Sequence, residues 1–187
     1  MKHFKNNSRG LSTAVTTLII LVVSVLLATV VTFYAINVTT TRVQEESLQI
    51  YKQHIWHNGT TFSEAAFLII NTGGRDIVID KISVRGQECA WSSVYYNKTT
   101  NAISPDLPYV TPNVDGTLNG KDVTLGTTTY ALVQASDDLI LKSGWSMIVY
   151  VTNPDSISVS DIGVTVGFTV FTANAQYYKE TNVSASS

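Results

Sequence analysis

Apolar and polar positions divide this chain into two unlike parts. Residues 11–41 contain no charged side chain, and 18–36 are apolar on every helical face, interrupted only by Ser24, Thr29 and Thr32. A helix apolar all round must be buried all round, in lipid or among other helices. Residues 11–41 as a helix would measure about 46 Å, against about 30 Å of bilayer hydrocarbon. The apolar pattern then narrows: Val43, Leu48, Ile50, Tyr51 and Ile55 fall on one side of a helical projection, and Arg42, Glu45, Glu46, Gln49, Lys52 and Gln53 on the other. No proline precedes Pro105 and no glycine lies between Gly10 and Gly59. The pattern therefore predicts one stem helix over 11–56, its second half covering a domain of the same chain. Its many Val, Ile and Thr residues are poor formers of an isolated helix, so the stem is expected to rely on lipid or on neighbouring stems.

From residue 57 the period changes from helical to alternating. Residues 65–74 (AAFLIINTGG) read as a strand ending in a glycine turn. Residues 76–86 set Ile77 and Ile79 against Asp80, Ile82 and Val84, a phase slip that predicts a bulge. These two strands would form a hairpin. Further strands are expected near 91–97, 130–134, 138–142, 145–153 and 162–174, with a Pro- and Gly-rich excursion over 104–126. Many short strands with turn signals at intervals of about ten residues predict an antiparallel, immunoglobulin-like β-sandwich over 57–187. The fold class expected for the whole chain is α+β. The apolar strand at 162–171 is expected to be central, because left at an edge it would promote aggregation.

Composition narrows the function. Of 187 residues, 44% are hydrophobic and only 14% charged, well under the roughly 25% charge of soluble domains. The net charge of −2 and the absence of a basic stripe exclude a nucleic-acid binder. Cys89 is the single cysteine, so no intrachain disulfide is available. Residues 1–10 carry Lys2, His3, Lys5 and Arg9 and no acid, which places them in the cytoplasm and sends the C-terminal part outward. The apolar run is too long for a conventional secretory signal. The boundary that looks cleavable is the one before it.

At that boundary the chain resembles the class III prepilin signal. The sequence SRG followed by LSTAVTTLIILVVSVLLATVVTFYA is similar to the amino-terminal domain of archaeal type IV pilins and archaellins. The resemblance implies cleavage between Gly10 and Leu11, after Arg9, by a membrane prepilin peptidase. It also implies a helix that sits first in the cytoplasmic membrane and later in the core of an extracellular homopolymer, with an assembly ATPase and a membrane platform protein as further partners. The residues that would make that core are Leu18, Ile19, Ile20, Leu21, Val22, Val23, Val25, Leu26, Leu27, Val30, Val31, Phe33, Tyr34 and Ile36. Bacterial type IV pilins usually carry glutamate at the fifth mature position; Val15 stands there, which favours the archaeal branch. The NTGG turn and the terminal VTVGFTVFTANAQYY also look like archaeal pilin heads. On this reading the protein is a structural filament subunit, with adhesion as a consequence. An archaellin of a motility filament is an alternative, as is an uncleaved, monomeric, membrane-anchored surface adhesion protein.

Little in the chain points to chemistry. His54 and His57 flank Trp56 without a third ligand or a base in view. Asn113, Asp115, Asn119 and Asp122 gather oxygens in a loop with Gly116 and Gly120, but not at EF-hand spacing, and turn chemistry accounts for them better than calcium does. Cys89 reads as a small buried residue. With no nucleophile elbow, Cys-His pair or phosphate loop, neither an enzyme nor a cofactor is expected. N-x-S/T triplets begin at Asn37, Asn58, Asn97 and Asn182, and at Asn6 in the leader. Asn58, Asn97 and Asn182 are expected in loops or the tail, where glycans would cover a filament surface, whereas a glycan on Asn37 would block stem packing.

Overall fold

The computed structural model describes residues 8–43 and 45–186, the side chains of 8–11 and 41–43 excepted. The chain forms two units, dividing after Val43. The first is a single helix, α1, Ser8–Val43. At 36 residues it is about 54 Å long. Its hydroxyls turn back on their own helix: Ser24 Oγ donates to the Ile20 carbonyl at 2.7 Å, Thr29 Oγ1 to Val25 at 2.8 Å and Thr32 Oγ1 to Ala28 at 2.7 Å. Polar groups that interrupt the apolar run thus find partners without water.

The second unit is mostly β, and here the expected 11–56 helix must be corrected. The helix ends at Val43, and Leu48–His57 is a strand, β1. Leu48, Ile50, Ile55 and His57 point inward. An extra residue in β1 breaks its register with the next strand between Tyr51 and His54, and Lys52 there has φ of 52°. The bulge makes the step from the inward Ile50 to the inward Ile55 five positions long instead of the four of a regular strand. That phase slip, together with outward Tyr51, imitates the 3.6-residue stripe of an amphipathic helix.

Strands β2 (Ser63–Asn71), β3 (Ile77–Val84), β4 (Gln87–Glu88) and β5 (Val94–Thr99) follow. Next come β6 (Asp122–Leu125), β7 (Thr128–Ala131), β8 (Val133–Gln134) and β9 (Leu139–Leu141), then β10 (Ser146–Thr152), β11 (Thr165–Thr172) and β12 (Gln176–Ala185). One curled sheet runs β4-β3-β11-β12-β1-β2-β10-β5-β8, with β9 on β3; β6 and β7 form a separate hairpin. The pairing is not wholly antiparallel, since β1 and β12 run parallel through Ile55–Val183 to His57–Ala185. The curl brings β1, β2 and β10 face to face with β3, β11 and β9 around a core that includes Ile55, Phe67, Ile69, Val149, Ile79, Phe168 and Leu141. The Phe67 and Phe168 rings stack across it at 5.0 Å.

The expected bulge near Asp80 is present. Lys81 pairs with Phe171 and Ile79 with Thr172, so Asp80 is the extra residue that lets Ile77, Ile79, Ile82 and Val84 all face inward. The expected hairpin between β2 and β3 is not. β2 pairs with β1 and β10, and β3 with β11, β4 and β9, so the glycine turn carries the chain from one half of the curl to the other. Asn71 secures that crossing: its Nδ2 donates to the carbonyls of Arg75 and Leu141 at 2.8 and 3.0 Å. As expected, β11 is central, between β3 and β12.

The opposite face of β2 and β10 is covered by residues 103–132, which include the β6–β7 hairpin. Leu107, Val110, Leu118, Val123, Leu125, Tyr130 and Leu132 pack there on Ala66, Leu68, Tyr95, Ile148 and Tyr150. Strands β2 and β10 are therefore buried on both faces, which explains their nearly unbroken apolar runs.

At the crossing, the Gly73 N–H donates to Ser47 O, and a Cβ at Gly73 would lie 2.6 Å from Glu45 O and 2.7 Å from Ser47 N. Both obstacles are backbone. Gly73→Ala is expected to lower unfolding stability by about 1–3 kcal/mol, read as a lower urea midpoint of the full chain in detergent.

Candidate functional site

Helix α1 presents the first candidate surface. Side chains 12–40 are exposed all round the helix, the large apolar ones from Val38 at 38% to Tyr34 at 70%. Ser12–Thr40 is long and apolar enough to cross a membrane. Every core residue named from the sequence, Leu18 to Ile36, lies on this surface. Arg9, Gly10 and Leu11 fall in the first helical turn with side chains outside the described residues, and Lys2, His3, Lys5 and Asn6 lie outside them altogether.

The β unit separates the two histidines that the sequence placed together. His54 and Trp56 share one face of β1 and stack at 5.1 Å, with His54 Nε2 2.9 Å from Asp106 Oδ1. His57 points to the other face, is only 4% exposed, and accepts the Gly59 N–H at Nδ1. In the 113–122 loop the oxygens turn on the loop itself. Asp115 Oδ1 accepts from Thr117 N and Oγ1 at 3.0 and 2.7 Å, while Asn113 Nδ2 donates to Asn119 O at 2.9 Å. The Thr117 bonds hold the Asp115 carboxyl below its ordinary pKa. Cys89 is buried, and burial pushes its thiol up to about 11, so it stays protonated and unreactive at neutral pH.

The sequons divide as well. Asn58 is exposed in the loop after β1. Asn97 and Asn182, expected in loops or the tail, lie in β5 and β12. Asn97 Nδ2 donates to Ala131 O at 2.7 Å, and Asn182 Oδ1 accepts from Thr165 Oγ1 at 2.7 Å. Alternating strand residues can carry sequons as readily as loops do.

The site that sequence reasoning missed is the seam under residues 104–110. These residues lack a sheet ladder and are tied to the sheet by side chains. Lys52 Nζ donates to the carbonyls of Ser104 and Pro105, His54 meets Asp106, Tyr150 Oη donates to Pro108 O at 2.8 Å, and the Val110 N–H donates to Glu64 Oε1 at 3.0 Å. The His54 bond is the main cause of a lowered Asp106 pKa. Glu64 is fully buried, between Trp56 on β1 and Thr152 on β10, and among the described residues its Oε2 has no partner. Burial raises its pKa to about 8, opposed by the Val110 bond. Burial, then the nearby Glu64 and Asp106 charges, push the Tyr150 phenol up too. The only sequence signal was one carboxylate opening the apolar run SEAAFLII.

A carboxyl whose folded pKa lies above its ordinary value favours folding most at low pH and loses that contribution as pH rises through the folded pKa. For Glu64 the window runs from about pH 4.5 to about pH 8, and the loss is on the order of 5 kcal/mol. Glu64→Gln keeps an oxygen for Val110 and cannot ionise. The variant is expected to hold its urea midpoint, followed by tryptophan fluorescence, across the window in which the parent declines.

No family model matches the chain, and no curated protein matches it. Among solved structures it is similar to the apo PmoF2 PCuAC domain, at 12% identity over 75% of this chain and 94% of that one, with a TM-score of 0.41. It is also similar to the sporulation control protein Spo0M from Bacillus subtilis, at 8% identity over 75% of this chain and 50% of that one, with a TM-score of 0.35.

Proposed function

We propose that this protein is the structural subunit of an archaeal type IV pilus-like extracellular filament, built through helix α1 and presenting the β unit outward, where it serves adhesion. The observation that carries the reading is the helix surface: apolar on every side from residue 18 to 36, exposed over its whole circumference, and without an unmet hydroxyl at Ser24, Thr29 or Thr32. Such a surface requires lipid or other helices around it. From Leu11 to Val43 the helix spans about 50 Å, far more than a hydrocarbon layer of about 30 Å needs. Filament packing uses the excess; a plain anchor leaves it unexplained.

In this reading, cleavage between Gly10 and Leu11 removes Lys2, Lys5 and Arg9, whose charges would otherwise enter the packed core. The stem occupies the cytoplasmic membrane first and the filament axis later. Close packing of many apolar stems supplies cohesion, and repetition makes weak surface contacts of the heads multivalent. The curled sheet is read as a variant of the immunoglobulin-like sandwich in which the first and last strands pair in parallel.

The amino-terminal sequence of mature protein from sheared extracellular material tests this reading. Leu11 as first residue is the expected result; Met1 retained in a membrane fraction, with nothing in the sheared material, identifies an uncleaved anchor instead. Glycopeptide mapping of the same material should find Asn37 unmodified, because a glycan there is incompatible with a packed stem.

A further inference from the structure

We propose that the Asn58-Gly59 peptide is a self-processing site, at which the Gly59 amide nitrogen closes onto the Asn58 side-chain amide with His57 as the base. The inference stands apart from the filament reading. Three arrangements meet there. The Gly59 N–H donates to His57 Nδ1 at 3.0 Å, which makes Nδ1 the unprotonated nitrogen of a neutral imidazole. Asn58 Oδ1 accepts from Thr60 N and Thr60 Oγ1 at 2.9 Å each, Thr61 N at 3.1 Å and Phe62 N at 2.9 Å. These donors converge where negative charge would develop, as in an oxyanion hole. Gly59 has φ of 77° and nothing within 4 Å of its Cβ direction, so no side chain hinders the closure.

The step balances within the chain. The Gly59 proton passes to His57 Nδ1, the nitrogen forms a bond to Asn58 Cγ, and the carbonyl π pair moves to Oδ1, which the 60–62 donors hold. The oxyanion then collapses, and the Cγ–Nδ2 bond breaks. Nδ2 takes the proton from His57 and leaves as ammonia, giving a five-membered succinimide between residues 58 and 59. One water opens the ring at either carbonyl and leaves an aspartyl or an iso-aspartyl linkage. Nothing is oxidised or reduced. The leaving nitrogen is also the atom a glycan would occupy, so glycosylation of Asn58 and this chemistry exclude each other.

The chain carries its own comparison. Asn119-Gly120 is the same dipeptide, also exposed and also with a positive φ at glycine, 71°. Among the described residues, no histidine nitrogen accepts from Gly120.

The test uses the full chain, made in a host without N-glycosylation and held in detergent in heavy-oxygen water, with label at each site followed by peptide mapping. General-base assistance predicts label at Asn58 about tenfold to a hundredfold faster than at Asn119, and equal rates in denaturant. His57→Gln should bring Asn58 down to the Asn119 rate, and Thr60→Val, which removes one donor at an exposed position, should slow it about tenfold. If His57→Gln does not fold, Thr60→Val decides. Equal rates at the two sites in the folded parent overturn the proposal. So does an unchanged or faster rate at Asn58 in Thr60→Val, because a turn that merely restrains the asparagine would react faster when loosened.

Discussion

Strands β2 and β10 are buried on both faces, and the rest of the β unit answers to that constraint. A strand in this position cannot be half polar, so its two apolar faces each demand a cover. One cover is the far half of the same sheet, which is why the sheet curls and why β1 and β12 must join edge to edge. The other is residues 103–132, which carry Leu107, Val110, Leu118 and Tyr130 down onto Ala66, Leu68 and Tyr150. Neither cover substitutes for the other, since they hide opposite sides of the same backbone.

The second cover raises a difficulty that the first does not. A sheet half brings its own ladder of hydrogen bonds, whereas an irregular segment brings peptide groups that must be satisfied singly. The answer is a row of long side chains rooted in the sheet: Lys52, Tyr150 and Glu64 reach out to the carbonyls of Ser104, Pro105 and Pro108 and to the N–H of Val110. Lys52 stands at the β1 bulge with a left-handed backbone, and that kink is part of what aims it. Glu64 is the uneasy member. It supplies the acceptor that a buried N–H requires, but as a carboxyl it leaves its second oxygen idle in a dry place, and it stays neutral to do so.

Residue patterns made the helix legible because thirty-one consecutive residues without charge admit few readings, and the bulge at Asp80 was legible because Ile79 and Ile82 break the alternation in plain view. The bulge at Lys52 was not. It falls where inward Ile50 and Ile55 are joined by outward Tyr51, and the sum has the spacing of a helical face. The missing β2–β3 hairpin shows a different limit: NTGG does turn the chain, but a turn does not say which strand will be the neighbour. Asn97 and Asn182 share that limit, because a sequon fixes composition and not secondary structure. The seam that holds Glu64 depends on contacts across 46 positions, from Val110 back to Glu64, and no local pattern records such a pairing.

The back-bonded hydroxyls of α1 bear on how a helix can change surroundings. Ser24, Thr29 and Thr32 complete their hydrogen bonds on the preceding turn, so these groups need no partner from outside, whether the helix is wrapped in lipid tails or in protein. A helix of that kind crosses between two apolar solvents without exchanging one hydrogen bond for another at those positions. What then distinguishes the two surroundings is shape alone: how closely the neighbouring surface can follow the ridges of Leu, Val, Phe and Tyr.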